Sequence, residues 1–226
     1  MDLQILLDDW QGVGSPHQRL DQLLRALAPG DGATPDPLGW DTLGMRNQRL
    51  LQLHAQLGGG TLEAVAKCPA CDTLNEFALP GDMLLGLPVP ATDTVATIGD
   101  IRFRLPRMDD LLSDDSRPLV ERCCDAKGAP SAGSVARAGE LFDDLDPAAN
   151  PVFDLACSAC GGAYRAAVDI AGFVAAALDR LAARLLRDID AIASAYGWSE
   201  QAIVALPAAR RRRYVELLLA RRGSAR

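Results

Sequence analysis

The sequence of 226 residues is poor in the side chains on which most catalytic sites depend. It contains only two histidines, His17 beside a helix-initiating proline and His54 in a leucine-rich helical pattern, and both fit a helix surface. It shows no Ser-His-Asp order, phosphate-binding glycine loop or recognisable carboxylate pair. We therefore expect a protein that is not an enzyme.

Long apolar runs are also missing. No stretch approaches the ~18 residues of a membrane span, and 49% hydrophobic with 23% charged residues is the composition of a soluble globular protein. Near the N-terminus, Asp2, Asp8 and Asp9 stand where a secretory signal peptide has basic residues. We expect a cytoplasmic protein with no membrane partner.

Positive charge is scarce except near the C-terminus. Residues 176–226 hold ten arginines and five acidic residues, so this segment carries +5 and the remainder −12 of a total of −7. Such asymmetry suits a nucleic-acid site, an assembly surface, or arginines that pair with acids of the same chain.

The apolar pattern predicts an α+β fold in three regions. Residues 1–60 form an N-terminal helical region, 61–168 a β-unit with a long insertion at about 80–150, and 169–226 a C-terminal helical region. The finer predictions are two short helices within 2–28, a loop at 29–39, and helices at 41–57, 109–128 and 170–196. The insertion should contain a hairpin with its turn at Ile98-Gly99-Asp100, and a flexible segment at 127–139.

Two Cys-x-x-Cys pairs stand out from the rest of the chain. "CPAC" begins at residue 68 and "CSAC" returns 89 positions later, each between two strand-like segments. Two such turns can supply the four thiolates that tetrahedral Zn²⁺ prefers, and four protein ligands leave no open position for water. We predict one structural Zn²⁺ in a zinc-ribbon-like β-unit, bound by Cys68, Cys71, Cys157 and Cys160.

The sequence leaves other uses of these cysteines open. The gap of 85 residues between the pairs exceeds the usual roughly 15–20, although the entropy of loop closure rises only logarithmically with length. A thioredoxin-like redox pair should open a helix, whereas strands are predicted after both pairs. Two disulfides or inert thiols are further alternatives. Cys123 and Cys124 fall in a helical pattern and are predicted to be buried as small apolar residues.

The C-terminal segment allows an alternative function. A helix, a turn at Gly197 and a short second helix resemble a helix-turn-helix, so a zinc-ribbon and helix-turn-helix regulator that binds nucleic acid is conceivable. The second helix, "SEQAIVAL", offers few side chains for base edges. Arg210 to Arg213 spread around one turn of helix, and the chain is acidic overall. We therefore expect no nucleic-acid partner.

A set of motifs along nearly the whole chain carries a family resemblance. They are "LLDDW" at 6–10, "RLDQLLRAL" at 19–27, "MRNQRLLQLHAQLGG" at 45–59, "CPACDTLNEFAL" at 68–79, "IRFRLPRMDDLL" at 101–112, "DPAANPVFDLACSACGGAY" at 146–164 and "IASAYGWSEQAIVALPAARRRRYVELL" at 192–218. In this order they resemble the zinc-containing baseplate hub assembly chaperones, or baseplate proteins, of contractile phage tails and extracellular contractile injection systems. Family members often carry glycine directly after the first pair, where this chain has Asp72.

The resemblance implies a non-enzymatic protein that helps to assemble a contractile baseplate or becomes part of it. Its partners would be baseplate or tail-hub subunits, and its location the cytoplasm or the finished virion or injection particle. Under this interpretation Trp198, Arg210, Arg211 and Tyr214 face a partner, because arginine and aromatic residues are common at interfaces. The alternatives are that Trp198 fills the junction between helices and that the arginines pair within the chain.

Overall fold

A computed structural model describes residues 10, 14–27, 41–126 and 128–224. Over these residues the chain combines helices with three two-stranded antiparallel sheets, which confirms the predicted α+β class. The loop predicted at 29–39 and most of the first N-terminal helix lie outside the described residues. Within them, no helix is both long and apolar enough to cross a membrane.

Short helices alternate with the three hairpins along the chain. In order, the elements are α1 (Pro16–Leu27), α2 (Leu43–Gln56), β1 (Thr61–Lys67), β2 (Leu74–Pro80), α3 (Gly81–Leu85), β3 (Val95–Ile98), β4 (Ile101–Arg104), α4 (Met108–Leu112), α5 (Leu119–Arg122), α6 (Ala132–Leu145), β5 (Val152–Ala156), β6 (Ala163–Ala167), α7 (Ile170–Tyr196), α8 (Glu200–Val204) and α9 (Ala208–Ser224). Each sheet is a single hairpin: β1 with β2, β3 with β4, and β5 with β6.

Helix α7 is the longest element and connects two apolar clusters. Its N-terminus is capped by Asp169, whose Oδ1 accepts from the Gly172 N–H, and Gly197 ends it with a left-handed φ of +65°. The first half packs with α1, α2 and the β1–β2 hairpin, and the second half with α8 and α9. Trp10, only 1% exposed, is tied to α7 by a 2.8 Å hydrogen bond from its Nε1 to Asp179.

The insertion has an apolar cluster of its own, in which Phe103 of β4 packs with Phe142 of α6. The predicted hairpin is confirmed, with Gly99 in the turn at φ +58°. The insertion docks on the start of α2, where Asp146 accepts a 3.0 Å bond from the Gly44 N–H. A Cβ at residue 44 would lie 1.7 Å from that carboxylate, so only glycine fits there.

Two predictions within the insertion are wrong. Residues 109–128 are not one helix but the short α4 and α5, because Pro118, the N-cap of α5, disfavours a helical conformation in the residue before it and has no N–H for a helical hydrogen bond. Residues 132–139, predicted to be flexible, belong to α6, which Ser131 caps by accepting from the Ser134 N–H. Cys123 is buried as predicted, but it and Cys124 follow α5, and Cys124 pairs with Phe103 in a β-bridge.

Candidate metal centre

Two of the hairpins present the Cys-x-x-Cys pairs at their tips. The last strand pair of the first hairpin is Lys67 with Leu74, and that of the second is Ala156 with Ala163. Each tip is therefore a turn of the same length. We call residues 68–73 the first knuckle and residues 157–162 the second knuckle.

The two knuckles share one backbone fold. In the first, the Cys68 N–H donates to the Thr73 carbonyl at 2.9 Å, and the Asp72 N–H donates to the Cys68 carbonyl at 3.0 Å. In the second, the corresponding bonds, both 2.9 Å, run from Cys157 to Gly162 and from Gly161 to Cys157. Asp72 and Gly161 occupy equivalent positions with φ of +60° and +70°. This left-handed residue turns the chain back into the second strand.

The four sulfurs lie together between the knuckles. Cys71 Sγ is 3.5 Å from Cys157 Sγ, and Cys68 Sγ is 3.8 Å from Cys160 Sγ. All four lie within 4.8 Å of one another. A tetrahedral ion with Zn–S bonds of about 2.3 Å places its sulfurs about 3.8 Å apart. The four predicted cysteines are thus brought together in an arrangement that could bind one metal ion.

The geometry argues against a disulfide pairing of these cysteines. All four thiols are free, and the sulfur separations far exceed the about 2.05 Å of a disulfide bond. A strand follows each pair, as predicted, where a thioredoxin-like motif would open a helix. Among the described residues, this is the group of Cys, His, Asp and Glu side chains whose ligand atoms come close enough to hold an ion.

The ionisation of the thiols is uneven without a cation. Backbone N–H groups of Cys160 and Ala159 lower the pKa of Cys157 to about 6, and hydrogen bonds with Thr73 lower the pKa of Cys71. The Gly162 N–H favours the Cys160 thiolate, but hydrogen bonds shared with the other cysteines outweigh it and raise the pKa of Cys160 to about 11. A divalent cation would stabilise all four thiolates at once, so the donor set fits a metal.

Asn75 of β2 is a residue of the site that the cysteine spacing did not reveal. It is 8% exposed, and its Oδ1 accepts from the N–H and hydroxyl of Ser158 in the second knuckle at 2.8 and 2.9 Å. Its Nδ2 donates to the Thr73 carbonyl at 3.0 Å and lies 3.7 Å from Cys157 Sγ. One side chain therefore joins both knuckles and contacts one of the four cysteines. The available signal was a polar residue at an apolar position of the strand, on the face of Phe77 and Leu79.

The predicted partner-facing residues lie where α7, α8 and α9 meet. The rings of Tyr196, Trp198 and Tyr214 pack against one another, with centroids 5.0 to 5.6 Å apart. Trp198 and Tyr214 are half-buried there, and Arg210 is exposed.

Arg211 does not fit a surface that faces a partner. It is 6% exposed, its Nε lies 3.7 Å from Asp188 Oδ2, and it donates to the Leu206 carbonyl at 3.3 Å. Burial of the guanidinium against groups of its own chain leaves little of it accessible to a second protein. In the structure, Arg211 instead pairs within its own chain, with Asp188 and the Leu206 carbonyl.

Comparison with known protein families, curated proteins and solved structures finds no match to the chain. The assignment of the metal centre therefore rests on its geometry and donor set. The resemblance to contractile baseplate proteins rests on the sequence motifs and stays a prediction.

Proposed function

We propose that Cys68, Cys71, Cys157 and Cys160 bind one structural Zn²⁺ and thereby form a zinc-ribbon-like β-unit. The observation that carries this proposal is the set of four sulfurs within 4.8 Å of one another, contributed by two knuckles of the same backbone fold. Cysteine thiolates select zinc over the hard cations that oxygen ligands prefer. Four sulfur ligands complete the tetrahedron, so the ion would act in folding and not in catalysis.

The position of the site in the chain gives the ion a clear structural task. The first knuckle precedes the insertion and the second follows it, so a bound ion closes the whole loop between Cys71 and Cys157. Four thiolates this close would repel one another, so a cation is needed before all four cysteines can ionise together. Metal binding would thus contribute directly to the folding free energy of the β-unit.

We further propose that the protein is a non-enzymatic assembly chaperone, or structural component, of a contractile phage-tail or injection-system baseplate. The ordered motifs of the sequence support this proposal. A metal site without an open coordination position agrees with it, because such a site supplies stability instead of reactivity. The partners would be baseplate or tail-hub subunits, met in the cytoplasm or in the assembled particle.

A nucleic-acid-binding regulator has less support. Helix α8 would be the recognition helix, but it spans only five residues, Glu200–Val204, and Ile203 and Val204 are buried. Such a helix offers too few polar side chains to read base edges in a groove. The assembly function is therefore the one that we propose.

The test is co-expression of the tagged chain with the baseplate and tail-hub subunits of a contractile particle from the same source. We expect a complex with one of these subunits that survives about 0.5 M salt, because protein interfaces depend less on charge than phosphate contacts do. Arg210→Glu should weaken that complex, whereas Arg137→Glu, on the exposed face of α6, is the matched control. Folded, metal-loaded protein that binds no subunit, or that binds DNA with a steep salt dependence, would contradict the proposal.

A further inference from the structure

A groove of about 420 Å³ lies between the end of α2 and the middle of α7. Its α2 side is lined by His54, Leu57 and the glycines that follow the helix. Its α7 side carries Arg180, Arg184 and Arg187. None of these residues belongs to the metal centre, and neither of the predicted functions uses them.

The three arginines form one stripe along α7. Their spacing of four and three residues, at about 100° per residue, keeps them within about 60° of the helix circumference and spreads them over about 10 Å. Of the acids on α7, Asp179 binds Arg19 and Trp10, Asp188 lies against Arg211, and Asp190 does not line the groove. The helix thus presents cations alone to the groove.

Within the part of the chain that the structure describes, the stripe is not neutralised. Arg180, Arg184 and Arg187 are exposed, and no carboxylate among the described residues lies within ion-pair distance of them. Arg19, Arg104, Arg117 and Arg137, in contrast, each pair with an acid. Three unpaired like charges on adjacent turns repel one another, so an anion in the groove would be favoured.

His54 gives the groove a polar wall of fixed orientation. Its ring packs edge-on against Phe173, with centroids 5.2 Å apart, and a Cβ at Gly59 would lie 2.1 Å from the ring. Only glycine at residue 59 leaves room for this imidazole. Burial, and then the charge of Arg180, lower the pKa of His54, which favours the neutral imidazole.

We propose that this groove binds the carboxylates of an acidic segment of a partner protein. Arginine forks match carboxylates in a bidentate geometry, and three of them along about 10 Å suit successive acidic side chains of one peptide. A nucleic acid fits less well, because the net charge of −7 repels a long polyanion. The groove also has the size of a small-ligand pocket, too small for a duplex. Peptide binding at this groove requires neither the zinc nor a baseplate partner.

The test is fluorescence anisotropy of a labelled hexaglutamate peptide with the metal-loaded full chain at about 50 mM salt, where charge pairing is little screened. The groove variant is Arg180→Gln, Arg184→Gln and Arg187→Gln together. The control variant is Arg102→Gln, Arg137→Gln and Arg165→Gln, which makes the same change in net charge at exposed positions on β4, α6 and β6. Circular dichroism checks that both variants are folded.

We expect the peptide to bind the wild type, to bind the groove variant about tenfold or more weakly, and to bind the control within about twofold of wild type. Absence of binding to the wild type, or an equal loss in both variants, would overturn the proposal. So would tighter binding of a thymidine hexanucleotide, or displacement of the peptide by inorganic phosphate at equal concentration.

A second readout locates the peptide in the groove. A carboxylate beside His54 favours the imidazolium, so the peptide should raise the pKa of His54 in an NMR titration. His17, the other histidine of the chain, does not line this groove and is the internal reference. Binding that leaves the pKa of His54 unchanged would place the peptide elsewhere and contradict the inference.

Discussion

The first and second knuckles reach the same backbone fold with different residues. The left-handed position is Asp72 in the first and Gly161 in the second, and the residue after the first cysteine is Pro69 or Ser158. Two residues beyond Asp72 and Gly161, the strands that follow begin at equivalent points. The geometry of a four-sulfur site therefore constrains the backbone of both turns more strongly than their side chains.

The contacts between the knuckles are divided unequally because of these differences. Asn75 and Tyr164 occupy equivalent positions, and each side chain reaches toward the other hairpin. Asn75 accepts a hydrogen bond from the N–H of Ser158. Pro69, the equivalent residue of the first knuckle, has no N–H and cannot donate to Tyr164 in the same way. The Tyr164 hydroxyl instead donates a long, 3.5 Å bond to the Ala66 carbonyl. Each knuckle therefore contributes two cysteines, but the hydrogen bonds between the hairpins are not equivalent.

The largest loss of stability is expected when a cysteine is replaced, because both knuckles contribute two cysteines to the site. Cys71→Ser and Cys157→Ser should each abolish metal binding and destabilise the chain by on the order of 5 kcal/mol, because an incomplete tetrahedron no longer joins the hairpins. Thermal unfolding with and without a chelator measures the loss. Cys124→Ser, half-buried and outside the cluster, should keep the metal. Equal stability of wild type and either knuckle variant would show that the two pairs do not share an ion.

A smaller loss of stability is expected when the unequal hydrogen bonds between the two hairpins are removed. Asn75→Ala leaves the Ser158 N–H without its partner near a buried ligand, so we expect a loss of about 2 kcal/mol in urea unfolding. Tyr164→Phe removes only a long bond from a half-buried hydroxyl and should cost about 0.5 kcal/mol or less. Equal losses for the two variants would mean that the bridge from Asn75 carries no special weight.

The smallest change in stability is expected at Asp72 and Gly161, the residues with a left-handed backbone in the two knuckles. Gly161→Ala should cost about 1 kcal/mol through the backbone alone, because a Cβ there meets no atom within 4 Å. Asp72→Gly should change stability by about 0.5 kcal/mol or less. Glycine relieves the backbone strain of the left-handed conformation, but it loses the 2.8 Å ion pair with Lys67 and gives the unfolded chain more entropy, so these effects nearly cancel. Gly60→Ala, with equal space but no positive φ, is the control. A loss for Gly60→Ala as large as that for Gly161→Ala would refute the backbone explanation.

The sequence predicted those features that depend on local signals. The spacing of the cysteines indicated which four come together, Gly99 indicated the hairpin turn, and the apolar spacing that ends at Gly197 indicated the long helix α7. Each of these signals lies within a few residues of the feature that it specifies. Even the long gap between the cysteine pairs did not matter, because both turns are encoded locally.

What could not be predicted depends on contacts between distant residues. The bond from Asn75 to Ser158 spans 83 positions, and the contact of Gly44 with Asp146 spans 102. Helix α6 contains Gly133 and Gly139, which lower helix propensity, and it forms because Ala138 and Phe142 pack on the β3–β4 hairpin. In the sequence, Arg180, Arg184 and Arg187 cannot be told from other exposed arginines. Only the structure shows that Asp179 and Asp188 on the same helix pair with other residues.

The proposed structural role of the metal requires that two knuckles far apart in the sequence share one ion. Native mass spectrometry of the reduced full chain tests it most directly, with Cys71→Ser and Cys157→Ser measured alongside and Cys124→Ser as control. We expect one zinc per chain in the wild type and the control, and none in either knuckle variant. Two ions per chain, no ion, or one ion that persists in either knuckle variant would contradict it.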